Sequence, residues 1–179
     1  MHQTQLIFSV GNISESVKVL KELYQDLPSN DLHFYFPFTA EELQSEKYIN
    51  EQIEHDAEKI NIEVANEEMI NFWNDNKVKI QKAFDILTSE GEVILPIYKC
   101  NLTYYGTYGY YQTPDTIFVN ISKGGAEFWA ETLLHELLHL VLYHRILNLP
   151  YEEAEIIVDK MFVRLFGVLF PNYREQFTK

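Results

Sequence analysis

Apolar residues recur at helical spacing in two parts of the chain, on either side of a segment with strand character. Between Thr39 and about Leu87 they fall every three or four residues, a spacing that places side chains on one face of an α-helix. Helical spacing returns after residue 125, where Pro150 separates a helix predicted to end near Asn148 from a following C-terminal helix. The N-terminal half is therefore expected to be rich in helix, and the C-terminal half to end in a helix pair.

Strands are predicted where apolar and aromatic residues alternate or form short runs between turn residues. These runs lie at residues 5–10, 32–38, 92–100 and 116–121. Pro96, inside the third run, favours an edge or bulge position because proline donates no backbone hydrogen bond. The tyrosine-rich run at 104–111 predicts an aromatic strand or hairpin. Such tyrosines can stack on a ligand or form the half-buried face of a sheet, and we favour the sheet.

Composition and charge narrow the class of protein. The 179 residues suit one domain, and 46% of them are hydrophobic and 23% charged, as in globular proteins. The net charge of −13 disfavours nucleic-acid partners because an acidic surface repels phosphate. Cys100 is the single cysteine, which excludes a disulfide within the chain and a cysteine-rich zinc site. Neither a signal peptide nor a membrane span is predicted, so a cytoplasmic location is expected, with leaderless export left open.

The candidate chemistry is concentrated in the first helix of the C-terminal pair, which contains His135-Glu136-Leu-Leu-His139. Residues four apart on a helix lie about 40° apart around its axis, so the two imidazoles can bind one metal ion from the same side. Glu136 lies about 100° from His135, beside the ligands, where a carboxylate can act as base on an activated water. Leucines and a valine fill the opposite face, which predicts a helix between a core and a cleft. The alternative is a buried helix with two hydrogen-bonded core histidines.

A third metal ligand is expected because a catalytic zinc site uses three protein ligands and keeps a position for water. His144 follows His135 by nine residues, about 180° around the same helix, so we exclude it. The next helix offers Glu152, Glu155 and Asp159 on one face. Acidic residues near a helix N-terminus also interact favourably with the helix dipole, so these carboxylates have a purely structural alternative.

Together, His135-Glu136-Leu-Leu-His139 and Glu155-Ile-Ile-Val-Asp159 resemble the H-E-x-x-H and E-x-x-x-D motifs of the gluzincin zinc peptidases, which include thermolysin-like enzymes and short minigluzincins. The resemblance implies His135, His139 and Glu155 as zinc ligands and Glu136 as general base. It implies Asp159 as the acceptor for the second nitrogen of a ligand histidine. Only 15 residues separate His139 from Glu155, which is short for the group, so Glu152 stays a rival third ligand. The strand at 116–121 would be the sheet edge that holds substrate.

The expected fold is α+β and zincin-like, with a small, mostly antiparallel sheet packed on the motif helix and on the helix after it. Residues 1–90 would form a helix-rich lobe of open function and residues 91–179 the peptidase core, in one compact unit. The expected function is zinc-dependent hydrolysis of peptide bonds in a peptide or protein substrate. The alternative is a zinc-binding, peptidase-like domain, inactive or autoinhibited, with a regulatory or protein-interaction role.

Overall fold

The fold is seen in a computed structural model that describes residues 4–10, 17, 18, 21, 38, 39 and 41–175. The helix expected at 14–27 and the strand expected at 32–38 lie almost wholly outside those residues. Within them the chain forms four strands and five α-helices. In chain order these are β1 (Gln5–Val10), α1 (Glu46–Lys59), α2 (Ile62–Ser89), β2 (Ile97–Thr103), β3 (Gly109–Gln112), β4 (Thr116–Asn120), α3 (Ala126–Val141), α4 (Tyr143–Ile146) and α5 (Tyr151–Phe166).

The four strands form one sheet in the order β1-β2-β4-β3, and the fold class is α+β as expected. The pairings β1–β2 and β2–β4 are parallel, and only β3–β4 is antiparallel. The expectation of a mostly antiparallel sheet is therefore wrong. Parallel neighbours need a crossover connection, and here α2 lies in the long connection between β1 and β2. The sheet consequently joins a strand from before residue 90 to three strands from after it.

The expected position of the sheet edge is also wrong. The segment Thr116–Asn120 is an inner strand, because β4 has β2 on one side and β3 on the other. The chain leaves β2 through residues 104–108, passes the position of β4, forms β3, and then turns back to enter β4. Among the described residues the strand at this edge of the sheet is therefore Gly109–Gln112.

Helix α3 lies under the sheet, and its leucine-rich face forms much of the core. Leu133, Leu134 and Leu137 are fully buried, as the apolar arc predicted. The helix ends at Val141, earlier than the predicted Asn148, and the short α4 follows it. Helices α2 and α5 both pack against α3, which places α5 beside the histidine face. Within the described part of the chain, none of the helices has the length and apolar character needed to cross a membrane.

Candidate metal centre

Two histidines on α3 and one glutamate on α5 meet between the two helices. The side chains of His135 and His139 lie one turn apart, and both residues are buried with 5% of their surface exposed. Their Nε2 atoms are 3.2 Å apart. Glu155 is equally buried, and its Oε2 lies 3.2 Å from His135 Nε2 while its Oε1 lies 3.3 Å from His139 Nε2. The three side chains therefore converge on one point.

The spacing of these atoms fits a metal ion. Ligand bonds of about 2.05 Å at tetrahedral angles place neighbouring ligand atoms about 3.3 Å apart. The two Nε2 atoms are 3.2 Å apart, which matches one edge of such a shell, and each lies 3.2–3.3 Å from a different oxygen of the Glu155 carboxylate. Two imidazole lone pairs that face each other at this distance repel unless a proton or a cation lies between them. The buried group formed by His135, His139 and Glu155 could therefore hold a metal ion.

The competing ligand candidates lie outside this group. Glu152 precedes Glu155 by about one helical turn but is exposed to solvent, and it does not belong to the cluster. His144 is exposed as well, although α3 ends before it and the chain was free to redirect its side chain. Cys100 is fully buried in β2, as a small apolar strand residue would be, and burial raises the pKa of its thiol.

Tyr173, a residue after the last helix that the sequence analysis did not single out, contacts the first histidine. Its hydroxyl lies 2.9 Å from His135 Nδ1 and donates a hydrogen bond to Asp159 Oδ1. The direct separation between His135 Nδ1 and Asp159 Oδ1 is 3.8 Å, longer than a hydrogen bond. Burial and the hydrogen bond to Asp159 raise the pKa of the Tyr173 hydroxyl, so it remains a proton donor at neutral pH. The interaction between Asp159 and His135 is therefore indirect and passes through the hydroxyl group of Tyr173.

The second histidine is held in a different way. The ring of Tyr111, on β3, stacks on the His139 imidazole with a centroid separation of 5.0 Å and an interplanar angle of 12°. The Nδ1 atom of His139 is buried and has no hydrogen-bond partner among the described residues. Stacking therefore fixes the plane of this ring, while the hydrogen bond to Tyr173 orients the ring of His135.

Glu136 is partly buried against the edge strand, beside the three converging side chains. A Cβ atom added to Gly109 would lie 2.8 Å from Glu136 Cγ and 3.0 Å from its Oε1, so only glycine lets the strand approach this closely. Burial raises the pKa of Glu136 to about 7, and the Glu155 charge adds to this rise while His139 opposes it. A carboxyl with this pKa can take up and release a proton near neutral pH.

Glu155 has the opposite electrostatic character. Burial alone would raise its pKa, but the interactions of the carboxylate with the imidazoles of His135 and His139 outweigh burial and lower the pKa to about 2. Glu155 is therefore a carboxylate at neutral pH, which is the form that binds a metal ion. The pKa of Glu136 is thus raised and the pKa of Glu155 is lowered. Such a difference is found in sites where one carboxyl group acts as an acid or base and the other stays charged.

No protein-family model, curated protein or solved structure matches this chain. The resemblance to gluzincins consequently rests on the two motifs and on the geometry that joins them.

Proposed function

We propose that this chain is a zinc-dependent peptidase of the gluzincin type that hydrolyses peptide bonds. Its zinc ligands are His135, His139 and Glu155, and its general base is Glu136. The observation that carries the proposal is the convergence of two imidazole Nε2 atoms and one carboxylate at separations of 3.2–3.3 Å. A second, proton-accepting carboxylate one residue from the first histidine is the feature that a purely structural site does not need.

The residues of the centre divide the hydrolytic reaction between them. Two imidazoles and one carboxylate form the ligand set of a known class of hydrolytic zinc sites. When bound, zinc polarises a peptide carbonyl and lowers the pKa of a water molecule. Glu136 takes a proton from the water and delivers it to the leaving amine. Burial shifts the pKa of this carboxyl upwards, which suits a group that must accept the proton and then release it.

The edge strand β3 offers a place for an extended peptide. Its backbone has a strand neighbour only on the β4 side within the described part of the chain. A peptide can add to such an edge through main-chain hydrogen bonds, which is a common mode of peptide recognition. Gly109 and Tyr111 point from β3 towards Glu136 and His139, so a peptide paired with this strand runs past the catalytic groups.

The test is to compare zinc content and peptide cleavage in the full chain and in two matched glutamate variants. Glu136→Gln keeps the three ligands and removes the base, so we expect one bound zinc and no cleavage of a mixed peptide library. Glu127→Gln changes an exposed glutamate in the first turn of the same helix and should keep both properties. Undiminished cleavage by Glu136→Gln, or a wild-type chain without zinc, would overturn the proposal.

A further inference from the structure

The contact between Tyr173 and His135 fixes the position of a proton on the imidazole ring. A phenol has one proton, and a carboxylate can only accept hydrogen bonds. The Tyr173 proton is directed at Asp159, so the phenol oxygen must accept a hydrogen bond from the N–H of His135 Nδ1, which lies 2.9 Å away. His135 is then the Nδ1–H tautomer, and its Nε2 lone pair points at Glu155 and His139.

The segment after α5 holds the phenol in this place. The backbone N–H of Phe170 donates to the carbonyl of Phe166, and the N–H of Tyr173 donates to the carbonyl of Phe170. The ring of Tyr173 stacks on Phe162 with a centroid separation of 4.0 Å and an interplanar angle of 21°. Phe170 is itself almost fully buried, so the segment from Phe170 to Tyr173 is held in the core at both of its ends. The hydroxyl is thereby aimed by packing as well as by hydrogen bonds.

We propose that Tyr173 is a positioning residue of the metal centre. Its hydroxyl holds His135 in the metal-binding tautomer, and Asp159 acts on His135 through this hydroxyl. This inference rests on the proposed role of His135 as a ligand. It differs from the arrangement implied by the resemblance, in which Asp159 itself accepts the hydrogen bond from the histidine. The chain uses a residue from beyond its last helix to complete a site formed by two helices.

The proposal makes a prediction for the protein without metal. Nitrogen–proton correlation spectra distinguish the two neutral imidazole tautomers, and for wild-type His135 we expect the Nδ1–H form. Tyr173→Phe removes only the hydroxyl and leaves a ring that can stack on Phe162, so His135 should become a mixture of tautomers. A wild-type His135 with its proton on Nε2 would overturn the proposal even if every variant failed to fold.

The second measurement is zinc affinity in a double-mutant cycle. Loss of a partner that orients a ligand histidine typically weakens metal binding about 10- to 100-fold, and we expect this for Tyr173→Phe and for Asp159→Asn. Because both act through one hydrogen-bond chain, the double variant should be no weaker than the weaker single variant. Tyr104→Phe is the matched control, since it also removes a buried tyrosine hydrogen bond, to the carbonyl of Ile60, and should bind zinc normally.

These two measurements separate the inference from the proposed function. If the wild-type chain binds no zinc, the proposed function fails, while the tautomer measurement still tests Tyr173. Zinc affinity within twofold of the wild type in Tyr173→Phe would overturn the positioning role. Additive losses in the double variant would do the same, because Asp159 would then act on the centre independently of the phenol.

Discussion

Gly109→Ala is the substitution that most sharply tests how the edge strand and the catalytic helix fit together. The added Cβ would lie 2.5 Å from Thr132 Cγ2 and 2.8 Å from Glu136 Cγ. Ordinary contacts between carbon atoms are about 3.5–4.0 Å, so strand and helix must separate by about 1 Å. An error of this size between catalytic groups and substrate can cost about 100-fold in rate, and overpacking of this kind typically costs about 1–3 kcal/mol in stability.

We expect Gly109→Ala to lower kcat/KM for a peptide substrate about 100-fold while zinc content stays at one ion per chain. The loss of unfolding free energy should fall at the lower end of about 1–3 kcal/mol, because an edge strand can move outwards. Steady-state cleavage, metal analysis and urea unfolding measure these three quantities. Gly125→Ala is the matched control for activity, since a Cβ at that position has no heavy atom within 4 Å and should leave cleavage and zinc content nearly unchanged.

A second substitution can identify the cause of the loss. Thr132→Ser removes the methyl group nearest to the added Cβ and keeps the hydroxyl that donates to the carbonyl of Phe128. In the Gly109→Ala background it should restore part of the activity, because the contact with Glu136 remains. Wild-type activity in Gly109→Ala, or an equal loss in Gly125→Ala, would refute the claim that the close approach of β3 sets the geometry of the base.

Three further predictions concern the carboxyl groups of the centre. Peptidase activity should decline as the pH falls below about 7, because Glu136 must be deprotonated to act as a base. Bound zinc would lower the pKa of Glu136 from about 7, so the midpoint of the decline should lie at or below that pH. Constant activity down to pH 4 would contradict this. In chelator-treated protein, Glu136→Gln should raise the free energy of unfolding at pH 8. A folded pKa above the unfolded value makes the ionised form unfavourable at high pH, so the gain should shrink between about pH 7 and 4.5. Glu155→Gln should lose zinc while Glu152→Gln, on the exposed side of the same helix, keeps it; equal zinc contents would refute Glu155 as the third ligand.

The meeting of the two histidines and Glu155 could be anticipated because it depends on local geometry. Four-residue spacing on α3 fixes the relation of His135 to His139 whatever the rest of the fold does. Placing Glu155 in the same site needed one further assumption, that the next helix packs its carboxylate face against α3. Pro150 indicated where one helix ends and the next begins. Glu152 and Glu155 stayed open in the sequence because both carry the same chemistry, and the structure separates them by exposure.

The sheet and Tyr173 could not be anticipated, since both depend on distant parts of the chain. The parallel pairing of β1 with β2 joins residues separated by about 90 positions, and no local pattern records such a crossover. Alternating residues in 116–121 indicated a strand but not its neighbours, which is why the edge was assigned wrongly. Tyr173 follows Pro171 in a segment without periodicity, and a lone tyrosine there gives no sign of the histidine that it contacts 38 positions earlier.

The central claim is that His135, His139 and Glu155 form an open, catalytic zinc site and not a closed structural one. A crystal structure of the zinc-loaded full chain tests it most directly. We expect one zinc ion at about 2.0–2.2 Å from both Nε2 atoms and from a Glu155 oxygen, with a fourth position that no protein group fills. A fourth protein ligand, or zinc bound elsewhere, would contradict the assignment.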